Sequence, residues 1–227
     1  MARATRGRGR IYVLAGANGA GKSTIGGEAL RAAGVDFFNP DEAARRIRAA
    51  QPSLTQTEVN SVAWHQGRRL LERTIVEQLD FAFETTLGGD TMTRLLERAV
   101  DSGLEVRVWY VGLARPELNI ERVRRRVAKG GHDIPETDIR RRYDQSRLNL
   151  IRLLPKLTEL RVYDNSEERD PDAGREPAPA LLLDWRSGRI VAPRHFNGTP
   201  DWAKPIAAAA LKAAGSPPAA GISHPPQ

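Results

Sequence analysis

The sequence of 227 residues contains no cysteine. Neither a disulfide nor a thiolate metal site can brace this chain or run its chemistry, which fits a reducing compartment. Also missing is any apolar run near the roughly 20 residues that a bilayer-spanning helix needs, so no membrane association is expected. The opening MARATRGRGR leads directly into IYVLAGANGAGKST, without the apolar stretch of an export signal. A cytoplasmic location is the expectation. Aromatic residues are few, at 6%. The four Trp are scattered, leaving no ladder on which single-stranded bases would stack, so nucleic acid is not the expected partner. Lysine is scarce as well: five of the 35 basic residues, the rest being arginine. The planar arginine fork suits phosphate and carboxylate better than a point charge does.

What is present is ordinary for a globular protein: 40% hydrophobic and 28% charged residues. The length suffices for one α/β domain with some additions. The net charge of +7 calls for an anionic partner, and nucleic acid, phospholipid and phosphorylated metabolites all qualify on charge alone.

Along the chain, residues 1–9 read as a flexible basic arm. IYVLA (11–15) reads as a buried strand, and the Gly-rich turn after it opens a helix over 22–33. VDFFN (35–39) is a second strand; Asn39 as N-cap, Pro40, Asp41 and Glu42 then start a helix. A long helical stretch covers 57–79, FAFE (81–84) is a third strand, and a further helix ends at Gly103. EVRVWYVGL (105–113) is a fourth strand, helices follow at about 117–128 and 135–154, and LRVYDN (160–165) is a fifth strand. Strands alternating with helices at this spacing predict βαβ units and a parallel sheet with helices on both faces. The main α/β domain is expected over 10–168, with a helical lid over 117–154, and a Pro-rich connector with a hairpin around Ser187-Gly188 over 169–200. Residues 201–227 read as a low-complexity tail.

Gly16-Ala17-Asn18-Gly19-Ala20-Gly21-Lys22-Ser23 fits the phosphate-binding loop pattern, G-x-x-x-x-G-K-[ST], and Thr24 follows. The glycines let successive N–H groups point into one concavity that cradles a phosphate, and the following helix adds its positive dipole end. Lys22 is expected on the β- and γ-phosphates of ATP, and the Ser23 hydroxyl on Mg²⁺.

In open parallel sheets, ligands sit beyond the carboxyl ends of the strands. Asp41, Glu84, Thr85, Thr86, Asp164, Asn165 and Ser166 all fall there. A kinase needs a carboxylate near the acceptor hydroxyl, and Asp41 and Glu84 are the candidates. The plain alternative for Asp41 is a first-turn acid stabilising its helix. Glu84 ends an apolar strand and must be paired, solvated or functional. Thr85 and Thr86 either donate to a substrate or cap a turn. The helices after the fourth strand carry Arg122, Arg124, Arg125, Arg126, Arg140, Arg141, Arg142 and Arg147. Arg122 and Arg126 share one face at i,i+4. Such a flap can neutralise charge in phosphoryl transfer, or some of it can be a solvated basic surface. His65 and His132 read as structural.

Taken in order, GANGAGKST, FNPDE, FETTL, ERVRRRVAKGGHDIP with IRRRY, and YDNS resemble the zeta toxin family of P-loop kinases over residues 11–166. The resemblance implies a fold akin to adenylate-type kinases and an ATP/Mg²⁺-dependent phosphorylation. Characterised members phosphorylate UDP-N-acetylglucosamine at its 3′-hydroxyl and are held by a small helical antitoxin. On this resemblance Asp41 matches the catalytic base, Glu84 with Thr86 the sugar-binding pair, and Arg122 or Arg126 the first lid arginine. Thr85 stands where the toxins commonly have Gly. His132 falls near the place of their second lid arginine, for which Arg141 or Arg142 can stand in. The leading expectation is therefore a kinase acting on a small acceptor, best a sugar nucleotide, and the alternatives are a nucleic-acid kinase and a nucleotide-dependent regulatory ATPase.

Overall fold

The computed structural model describes residues 8–27, 37–167 and 178–215. Most of the expected N-terminal arm, the first half of the expected second strand, much of the connector and the last twelve residues lie outside that range. In chain order the elements are β1 (Arg10–Ala15), α1 (Ser23–Gly27, a π-helical turn), α2 (Pro40–Ala50), α3 (Gln56–Glu77), β2 (Phe81–Thr85), α4 (Asp90–Asp101) and β3 (Glu105–Gly112). They continue with α5 (Pro116–Ala128), α6 (Glu136–Leu153), β4 (Glu159–Asp164), β5 (Ala180–Arg186), β6 (Arg189–Ala192) and α7 (Lys204–Ala214).

The six strands form one sheet in the order β2-β1-β3-β4-β5-β6. Its first four strands run parallel, with Val13 opposite both Phe83 and Val108. From the expected second strand, Phe38 bridges Phe83 in parallel beyond β2. Period-two alternation sends Ile11, Val13, Phe83, Val106, Val108, Leu160 and Val162 into one core with Leu71, Leu96, Leu150 and Leu153 of the helices. The opposite face carries a mixed set, in which the Arg107 guanidinium lies over the Tyr12 ring and that of Arg161 over Trp109.

The hairpin is present: β5 runs antiparallel to β4, and β6 antiparallel to β5. Ser187 and Gly188 both take positive φ, 44° and 86°, as a two-residue turn matched to strand twist requires. The region read as a low-complexity tail starts differently. Residues 204–214 form α7, whose Ile206, Ala207 and Ala210 are buried, and the preceding Trp202 lies in the core. A Cβ on Gly112 would collide with the Trp202 ring, so the end of β3 is open for that side chain. Alanine favours helix and lets it approach closely, but an alanine run offers no apolar-polar contrast from which a buried face can be read.

Candidate functional site

The loop after β1 is shaped by its glycines. Gly16 has φ 139°, and a Cβ there would press into the Val111 carbonyl. Gly19 has φ 76°, and its Cβ would lie 2.6 Å from the Asn119 carbonyl oxygen. Any side chain at either place would push the loop off the end of β3 or off α5.

Buried amides hold the loop from outside. Asn119 Nδ2 donates to the Asn18 carbonyl at 2.6 Å, and Asn165 Nδ2 to the Ala20 carbonyl at 2.9 Å. Both side chains are almost fully buried. Inside the curl, Lys22 is 6% exposed, with Nζ 3.2 Å from the Ala17 carbonyl and 3.5 Å from Glu84 Oε1. Ser23 Oγ donates to Glu84 Oε2 at 2.6 Å. The same carboxylate oxygen accepts from Asn39 Nδ2 at 3.2 Å, and Asn39 Oδ1 caps α2 through the N–H groups of Asp41 and Glu42. Glu84 thus stands between the loop and the helix that carries Asp41. The side chain of Thr24 lies outside the described residues.

The loop fits a nucleoside triphosphate with Mg²⁺: a lysine and a serine hydroxyl sit in the glycine-rich curl, and a carboxylate stands beside both. Magnesium asks for few protein ligands when phosphates supply the rest.

The region where the sequence places the acceptor is built from α2, the loop after β2, and α5 and α6. Asp41 pairs with Arg126 Nη1 at 3.3 Å, and Arg126 Nη2 reaches the His132 carbonyl at 3.3 Å. Arg122, on the same helix face, turns instead to the carbonyls of Asn165, at 2.8 Å, and Glu167. Arg142 Nη1 donates to Asn18 Oδ1 at 3.0 Å, linking α6 to the phosphate loop. Arg141 reaches the Gly88 carbonyl at 3.4 Å. Arg124, Arg140 and Arg147 pair with Glu136, Glu117 and Asp144. Thr85 and Thr86 accept from the N–H groups of Leu87 and Gly88, the turn-capping role.

The helix α6 braces this end. Beyond Arg141 and Arg142, its Tyr143 hydroxyl donates to the Leu113 and Ala114 carbonyls, and its Ser146 bonds to Tyr110. Asn149 Nδ2 holds the Leu87 carbonyl at 2.7 Å, where Leu87 is buried with φ 50°. A non-glycine residue in that region costs about 1 kcal/mol or more and persists only when its surroundings hold it. Burial pushes the Tyr143 phenol up and that of Tyr110 up to about 12, so both remain neutral donors.

Asn119 and Asn149 are not among the residues that the sequence singles out, and Asn165 falls there beyond the strand ends without a role as a clamp. The available signal was an amide among apolar helix positions, since Asn119 lies between Leu118 and Ile120 and must find a partner once buried.

This fold and loop define a P-loop kinase-like α/β protein. A model of the Zeta toxin family matches residues 2–170. The chain belongs to that family. An uncharacterized protein of Haemophilus influenzae is 30% identical over 128 residues, covering 56% of this chain and 88% of that protein. Among solved structures, the native AvrRxo1-ORF1:-ORF2 complex superposes with a TM-score of 0.61 at 15% identity, over 82% of this chain. The chain spans 61% of the length of that structure. The same complex with ATP gives a TM-score of 0.58 at 13% identity, over 96% of this chain and 66% of the other. A structure from the PezAT toxin-antitoxin system of Streptococcus pneumoniae gives 0.54 at 16% identity, over 79% and 72% of the two chains. At these identities the likeness is one of fold. Among the described residues no helix is long and apolar enough to cross a membrane.

Proposed function

We propose that this chain is an ATP- and Mg²⁺-dependent phosphotransferase that moves the γ-phosphoryl group onto a hydroxyl of a small acceptor. The best acceptor is UDP-N-acetylglucosamine or a related sugar nucleotide. One observation carries the reading: a buried lysine and a serine hydroxyl in a glycine-rich loop share a carboxylate with the start of the helix that carries an exposed aspartate.

In this reading the loop N–H groups and Lys22 hold the phosphates, and Ser23 holds the metal. Bound Mg²⁺-ATP supplies the phosphoryl group and a cation that offsets its charge. Asp41 accepts the proton of the acceptor hydroxyl as that oxygen attacks the γ-phosphorus, whose bond to the β-phosphate oxygen breaks to release ADP. Glu84, freed as Lys22 and Ser23 turn to phosphate and metal, orients the acceptor together with the Thr86 hydroxyl, which accepts from Gly88 but keeps its own proton to donate. Arg126 and Arg142 face the charge that develops during transfer. For Asp41 to act, Arg126 exchanges its present carboxylate partner for phosphate.

The sugar-nucleotide acceptor rests on family membership and on Glu84, two residues before Thr86, lying beside the loop. Two of the similar structures are complexes with a second protein or come from a toxin-antitoxin system, which supports a small protein antitoxin as partner. The test is ADP release with Mg²⁺-ATP, with and without UDP-N-acetylglucosamine, in the wild type and in Asp41→Ala. Acceptor-stimulated release that disappears in the variant, with a phosphorylated sugar nucleotide seen by mass spectrometry, is the expected result. Stimulation absent from protein that binds ATP would exclude that acceptor.

A further inference from the structure

We propose that Asn39 is a positioning residue that couples the nucleotide loop to the acceptor base Asp41, an inference that rests on the functional reading above. An N-cap needs only an acceptor atom, and Ser, Thr or Asp would supply it. Asn39 uses both ends of its amide. Its Oδ1 accepts from the N–H groups of Asp41 at 2.8 Å and Glu42 at 3.2 Å, while its Nδ2 donates to Glu84 Oε2 at 3.2 Å. Two N–H donors on one side and a carboxylate on the other leave a single orientation for the amide.

The backbone around it is equally fixed. Phe38 N–H donates to the Ala82 carbonyl at 2.8 Å, and its carbonyl accepts from Glu84 N–H at 2.9 Å. Asn39 is 8% exposed, so water does not compete freely for these bonds. Glu84 also accepts from Ser23 and faces Lys22. Phosphate and metal would draw Lys22 and Ser23 away from Glu84, leaving Asn39 as the donor among these three that still faces it. The amide is then held more firmly, and with it the cap that places Asp41. Occupancy of one end of the site is in this way felt at the other, through one side chain.

The test is amide hydrogen exchange at Asp41 and Glu42 by NMR, with and without Mg²⁺ and a non-hydrolysable ATP analogue, whose binding is titrated in parallel. In the wild type, exchange at both amides slows about fivefold on saturation, the worth of one ordinary hydrogen bond. Asn39→Ser keeps a capping oxygen and loses the separate amide N–H donor, leaving one short hydroxyl that would have to cap α2 and reach Glu84 from the same atom. This variant binds the analogue, and its exchange responds less than about twofold. Should Asn39→Ser fail to fold, Asn39→Asp caps equally well and sets a carboxylate against Glu84, with the same loss of response expected. A wild type that binds the analogue with no change at these amides would overturn the coupling, as would a full response in either variant. A chain that binds no analogue would overturn the nucleotide reading and the coupling together.

Discussion

The two ends of the site are held in opposite ways. At the phosphate loop, Lys22 is 6% exposed, and buried amides from α5 and from the loop after β4 clamp the backbone. At the proposed acceptor end, the Asp41 and Arg126 side chains are 54% and 38% exposed, and their ion pair lies open to solvent. One end is set by backbone carbonyls and glycine conformations that leave it little freedom. The other is set by long side chains that can change partner. Such a division suits a protein whose phosphoryl donor is constant and whose acceptor has to enter, be recognised and leave.

That contrast can be broken at either end. The largest effect is expected from Asp41→Ala, which lowers turnover about 10³-fold, or about 4 kcal/mol in barrier. Its unfolding free energy stays within about 0.5 kcal/mol of the wild type because the side chain is exposed, as chemical denaturation would report. Asn165→Leu should act the other way round. It removes the donor to the Ala20 carbonyl and destabilises the fold by about 2 kcal/mol in the same experiment. Arg126→Ala, like Asp41→Ala, should change stability by no more than about 0.5 kcal/mol, since solvent-exposed ion pairs contribute little. Its turnover should nonetheless fall, and a turnover equal to that of the wild type would remove Arg126 from the site.

How far the sequence could be read follows the same division. The βα alternation was legible because strands such as IYVLA are short and apolar and their ends are marked: Asn39-Pro40 opens α2, and Gly103, with φ 88°, closes the turn after α4. The phosphate loop was legible because its chemistry is local, carried by eight consecutive residues. The clamps around it were not, because Asn119 and Asn165 act on carbonyls 101 and 145 positions away. Arg122 and Arg126 could not be told apart on a shared helix face. What separates them is the position of the 165–167 backbone, which takes Arg122, against that of α2, which presents Asp41 to Arg126. The helix α7 escaped notice because its buried face consists largely of alanine, and the ring that fastens this region, Trp202, needs the bare Gly112 of a distant strand.

The most direct test of a rigid nucleotide end and an adaptable acceptor end is Mg²⁺-ATP affinity measured side by side in wild type, Lys22→Ala and Asp41→Ala. Loss of the charged lysine contacts should weaken binding about 100-fold in Lys22→Ala. Asp41→Ala should bind ATP as the wild type does while losing turnover. Equal weakening in both variants, or ATP binding untouched by Lys22→Ala, would contradict the division of the site.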